Sequence, residues 1–312
     1  NPIKRNKSFL GLMTGKKESD KKMYLPIFIM GCFFVIINGL ALQIKNLFQP
    51  TFEDTSNPVN ILYIFVIIIV MTVIILLIAR YWKKQVIQIL MLFAIGYTAF
   101  FIFVPLFGFL SDIISLGVSI VLSVALVVVL YKFPEWYIID LCGVIIGAGA
   151  IAIFGISLSI LLVIILLVVL AVYDAISVYK TKHMIDLADT VIDLKLPVLL
   201  VVPKIRGYSL IKETKSLKEK LKDQEERDAF FMGLGDIVMP GILVVASYHN
   251  ISNGLPVALS VLAGTLIGFL LLMMFVIKGK PQAGLPLLCS GAIFGYVLSS
   301  YVLFGTLVGL GF

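Results

Sequence analysis

AVYDAISVYK, residues 171–180, and RDAFFMGLGDIVMPG, residues 227–241, decide the fold, because each sets an acid, Asp174 or Asp236, within an apolar run. Asp174 lies about six residues before Lys180, and Asp236 about eight beyond Asp228. A soluble core does not explain them: a carboxylate at the centre of a membrane helix costs about 2.5 to 3.5 kcal/mol on insertion scales, so an intramembrane acid marks function by default. Two such acids at one depth suggest a pair.

The surroundings make the membrane reading firm. Of 312 residues 60% are hydrophobic and only 14% charged, and the mean hydropathy is +1.08, far from an ordinary globular domain. The net charge of +7 would raise nucleic acid as a partner of a soluble protein. Here the Lys and Arg residues cluster in alternate loops, as membrane topology demands, and nucleic-acid binding is not expected.

Apolar runs of membrane-spanning length predict about nine helices, over residues 25–47, 59–81, 86–110, 113–131, 137–154, 156–178, 230–251, 255–277 and 283–308. The fold class is therefore all-α and polytopic. One transmembrane domain fills residues 1–312, with a polar connection over 179–229 between the sixth and seventh helices. Lys4, Arg5, Lys7, Lys16 and Lys17 precede the first helix, Arg80, Lys83 and Lys84 follow the second, and Lys278 and Lys280 follow the eighth. The intervening loops are nearly free of basic residues, so the amino terminus is expected in the cytoplasm and the carboxyl terminus outside, in the cell membrane. The first apolar run is too long for a secretory signal and lacks a small-residue cleavage site, so it reads as a signal anchor.

Within the connection, residues 183–195 place Met184, Leu187, Val191 and Ile192 near helical spacing and suggest an interfacial amphipathic helix. The next segment, Leu196, Pro197, Val198, Leu199, Leu200, Val201 and Val202, is β-branched and bounded by prolines. It reads as a strand that either packs on the membrane surface or offers its edge to an unwound substrate. The charged run 212–228 reads as a solvated linker.

With the sixth and seventh helices antiparallel, a rise of about 1.5 Å per residue puts both carboxyls roughly 9 to 12 Å below the cytoplasmic edge. Helices packed about 8 to 10 Å apart can bring two such groups to one water. Two carboxylates at one site hold a single proton near neutrality, because repulsion and burial oppose the second charge. The ionised member can then deprotonate water while the protonated one polarises a peptide carbonyl. Gly233 and Gly235, flanking Leu234, remove side chains beside Asp236 and admit another backbone.

Tyr173 and Asp174 with the GLGD of residues 233–236 resemble the paired signature of the presenilin and signal peptide peptidase family, intramembrane aspartyl proteases with nine membrane helices. The family's third motif, PAL, is matched by Ala283, Gly284 and Leu285, followed by Pro286 and Leu287; the first two positions depart from it. The basic amino-terminal flank and compact length look most like an archaeal presenilin homologue. The resemblance implies that Asp174 and Asp236 are catalytic, that Tyr173, Gly233, Leu234, Gly235 and residues 283–287 shape the site, and that single-pass membrane proteins are the substrates. It implies no metal and no organic cofactor. The remaining partners expected are the lipid bilayer and, in a homo-oligomer, further copies of the chain.

Other polar groups carry less. Cys32, Cys142 and Cys289 lie in apolar segments without metal-ligand spacing, and His183 and His249 form no HExxH pattern. Cys289 and Ser290 have no membrane-embedded histidine at their depth to act as base, which argues against a serine mechanism. Asp140, near the start of the fifth helix, is expected to snorkel or hydrogen-bond at the interface, and Asn38 to join helices. The rival function is a proton- or cation-coupled transporter or channel, in which paired acids bind the ion. A transporter is expected to show repeated halves, and GLGD has no counterpart in the first half.

Overall fold

The computed structural model describes residues 24–81, 84–178, 199–204, 208–209, 229–277 and 282–310. The amphipathic helix expected over 183–195, the linker over 212–228, the basic amino-terminal segment, and Leu196, Pro197 and Val198 lie outside them. Nine helices run through the described residues. Helix α1 covers 24–44 and continues as a 3-10 turn, Lys45–Leu47. The others are α2 (Val59–Tyr81), α3 (Lys84–Leu106), α4 (Asp112–Lys132), α5 (Trp136–Ser157), α6 (Ile160–Ile176), α7 (Leu234–Asn250), α8 (Leu255–Ile277) and α9 (Gly284–Phe304). Six of the described helices are long and apolar enough to cross a membrane, and Ile160–Ile176 is apolar but shorter.

The all-α expectation needs one correction. Strand β1 (Leu199–Pro203) pairs antiparallel with β2 (Ala229–Gly233), Val201 standing opposite Phe231. The seventh helix, expected from residue 230, begins at Leu234, because AFFMG is paired to LLVVP and not coiled on itself. A short apolar run does not distinguish strand from helix, since either can satisfy its backbone in an apolar setting if a partner is present. The third helix also ends sooner than expected, at Leu106, one residue beyond Pro105.

Helix α7 is the axis of the core. Ile237 and the run Leu243, Val244, Val245 and Ala246 are fully buried among α5, α6, α8 and α9. The tightest pair is α8 with α9, and its closeness has a specific cause. Gly264 and Gly268 of α8 face Gly291 and Leu287 of α9 with backbone against backbone, so that a Cβ at Gly264 would collide with the Gly291 carbonyl. Small residues allow this approach where no hydrophobic force draws helices together in lipid. The outer helices do the opposite: Ile69, Phe93 and Val121 of α2, α3 and α4 are 60%, 71% and 66% exposed. Such faces suit hydrocarbon, not water.

Candidate active site

Three element ends meet at the site: the last turn of α6, the first turn of α7 and the start of α9. Asp174 lies two residues before the final helical residue Ile176, and the Ser177 amide closes the turn onto the carbonyls of Tyr173 and Asp174. Gly233 ends β2 and serves as the extended N-cap residue of α7, which places Asp236 in that helix's first turn. An acid there is favoured by the positive end of the helix dipole. Pro240, inside α7, has no N–H, so the carbonyl of Asp236 four residues earlier loses its usual helical partner.

Ala283 is the extended N-cap residue of α9, so Gly284 and Leu285 carry the first amides of that helix. Those amides have no intrahelical acceptor. The Leu285 N–H donates to Asp174 Oδ2 at 3.1 Å, and the Gly284 amide faces the same carboxylate. Asp236 reaches the same dipeptide from the other side: a Cβ built on Gly284 would stand 3.0 Å from its Oδ2. The two carboxylates are thus gathered on Gly284 and Leu285, close enough for their charges to repel. Both are half-buried. Pro286, in the first turn of α9, sits where a helix tolerates a missing N–H.

The other predicted residues divide between the site and its frame. Gly284 is buried, and nothing lies within 4 Å of where a Cβ on the exposed Gly235 would be, so Gly235 leaves open space beside Asp236. Leu234 is 9% exposed and packs on Gly143 and Gly147 of α5, seating the start of α7. Ala283 is buried, and Leu285, Pro286 and Leu287 are half-buried. Tyr173, next to Asp174 on α6, is 66% exposed. Cys289, buried one turn into α9, feels the charge of both carboxylates. Among the described residues no three His, Cys, Asp or Glu side chains come together to hold a metal ion.

Asp140 hydrogen-bonds and does not snorkel. It is 4% exposed, and its Oδ1 accepts the Val201 N–H of β1 at 2.7 Å. Since that amide points to α5, it points away from β2. The sequence signal was there, an acid one turn into an apolar helix, but an all-round apolar helix does not reveal which of its faces is covered.

Comparison with known proteins gives the family. Residues 25–306 match the family model described as signal-peptide peptidase, presenilin aspartyl protease. The chain is also similar to two solved structures of a presenilin family intramembrane aspartate protease. In the C222 form the identity is 32%, the match covers 88% of this chain and 97% of the other, and the TM-score is 0.63. In the P2 form the identity is 33%, the coverage 89% and 98%, and the TM-score 0.66. No match is found among curated proteins.

Proposed function

The chain belongs to the signal-peptide peptidase and presenilin family of aspartyl proteases, and on that premise we propose that Asp174 and Asp236 together activate the water that cleaves the substrate. The protein is an integral, multi-pass intramembrane aspartyl protease. One observation carries the assignment of the dyad: both carboxylates converge on the Gly284–Leu285 dipeptide. One carboxylate takes a proton from water as the oxygen attacks the peptide carbon, and the protonated partner gives its proton to the carbonyl oxygen. Collapse of the tetrahedral intermediate expels the amine, which receives the proton first taken from water, while a hydroxyl of the intermediate returns a proton to the partner carboxylate and restores the dyad. The Leu285 amide orients Asp174 throughout, and Gly235 leaves room for the substrate backbone. This chemistry, and not ion transport, is the use made of the paired acids.

The substrates are single-pass membrane proteins, and cleavage requires their helix to unwind where freed backbone groups find partners. In the hairpin, Val201 is already held by Asp140, so the outer edge of β1 is closed at its centre. Nothing among the described residues pairs with the outer edge of β2, where Phe231 and Gly233 lead straight to Asp236. An unwound segment added there would be delivered to the dyad, with Leu199, Leu200, Val201 and Val202 forming the strand behind it. The chain acts as one domain, its amino terminus in the cytoplasm and its carboxyl terminus outside the cell membrane.

A peptide in which a hydroxyl-bearing carbon replaces the scissile carbonyl resembles the tetrahedral intermediate. It is expected to inhibit cleavage at least about 100-fold better than the parent peptide, the lower bound for such analogues. Equal potency would mean that water is not added at the dyad. Orientation is tested separately with an impermeant thiol reagent on intact cells. Thr306→Cys is expected to react and Ser8→Cys to react only after permeabilisation; the reverse pattern would invert the topology.

A further inference from the structure

Asp140 is a buried acid that the hydrolytic step does not use, and packing does not explain it. Its Oδ2 has no hydrogen-bond partner among the described residues although it is buried, and an orphaned buried oxygen opposes folding. What the residue gains is the bond from Oδ1 to the Val201 amide. The face of α5 that carries it continues the same contact. At Gly143, three residues on, a Cβ would stand 3.0 Å from Leu200 Cδ2 and 3.8 Å from Leu234 Cδ1, and at Gly147 it would stand 3.1 Å from Leu234 Cδ1. Residues at this spacing share one side of a helix. A single stripe of α5 therefore grips β1 with an acid and admits β1 and the start of α7 through two glycines.

We propose that Asp140 is a positioning residue for hydrolysis: by holding the outer edge of β1 it locks the hairpin to α5 and so fixes where α7, and Asp236 with it, begins. The chain of contacts is short. Val201 stands opposite Phe231 of β2, and Gly233, two residues later, is the N-cap residue of the helix whose first turn holds Asp236. If the hairpin slides on α5, Asp236 moves relative to Asp174, which is held independently by Leu285. Displacements of about 1 Å at reacting groups lower rates by about 100-fold.

The inference rests on Asp236 being one of the dyad, so Asp236→Asn is measured beside the test variants in full-length protein with a single-pass substrate. If Asp236→Asn still cuts, the dyad fails; if it is inactive, the result at Asp140 stands alone. Asp140→Ala is expected to lower kcat by at least about tenfold with KM within about threefold, and Asp140→Asn, which keeps an acceptor for Val201, to retain at least about a third of kcat. Amide exchange supplies a readout that general loosening would not mimic. Val201 should exchange at least about tenfold faster in Asp140→Ala but not in Asp140→Asn, while Leu200 and Val202, whose amides face β2, stay protected. Should Asp140→Ala not fold, Val201→Pro removes the same bond from the other side and leaves the β1–β2 ladder intact, since that amide points out of the hairpin. It is expected to reproduce the loss of kcat. A wild-type rate in whichever of Asp140→Ala and Val201→Pro folds, or an Asn variant as slow as the Ala variant, overturns the proposal.

Discussion

Asp174→Asn and Asp236→Asn are each expected to reduce cleavage of a single-pass membrane substrate to below about one thousandth of the wild-type kcat, within the range that general acid–base groups supply. Asparagine nearly matches the shape of aspartate but cannot relay a proton. At Asp174 it still offers an oxygen to the Leu285 amide, now 3.1 Å from Oδ2, so the contact between α6 and α9 survives. Folding should therefore be unharmed: removing a carboxylate from an apolar setting relieves a cost of about 2.5 to 3.5 kcal/mol if that carboxylate is charged at the helix centre. Because the two acids act as one unit, the double variant should be no slower than either single one. The measurement is kcat for purified variants, with melting temperature as the control. A single variant that keeps a tenth of the rate would remove that residue from the water-activating pair.

Gly284→Val is expected to lower kcat by about 100-fold, the effect of displacing reacting groups by about 1 Å. The physical reason is local. A Cβ at this position would stand 3.0 Å from Asp236 Oδ2 and 3.4 Å from Oδ1, and valine adds two further carbons on the same side. Either Asp236 turns aside or the start of α9 retreats. Retreat would pull the Leu285 amide from Asp174, so both routes damage the dyad. Gly235→Ala makes the contrast, because its Cβ meets nothing within 4 Å in the substrate-free chain. That substitution should leave the carboxylates in place and raise KM by crowding the substrate backbone. Equal kcat in Gly284→Val and the wild-type protein would show that the turn does not set the dyad.

The two motif glycines illustrate how far sequence reasoning reached. GLGD identified both the acid and the need for space beside it, but not that a glycine of another helix also stands against the acid. Gly235 faces open space, a Cβ on Gly233 would stand 3.4 Å from Asp236 Oδ2, and Gly284, which departs from the family's PAL pattern, stands closer still, at 3.0 Å. Tyr173 shows a limit of another kind: it adjoins Asp174 in sequence, but neighbouring residues on a helix point about 100° apart, and its ring is 66% exposed in the substrate-free chain. The strand at Leu199–Pro203 was legible from its β-branched composition. Its partner was not, because AFFMG is as apolar as the helix it precedes.

What the sequence determined by itself is whatever follows from the price of polar groups in hydrocarbon. The length and number of the apolar runs, the two acids that break them, and the glycines around the second acid are all local properties, readable without knowing what packs on what. Only the tertiary structure decided which contacts those local features make. Helix α9 brings two orphan amides to Asp174, Gly284 of the same helix admits Asp236, and Asp140 turns inward to hold β1. Each of these joins residues far apart in the chain, from helices apolar on every side. Hydropathy places such residues in the membrane, and only packing determines which way they face.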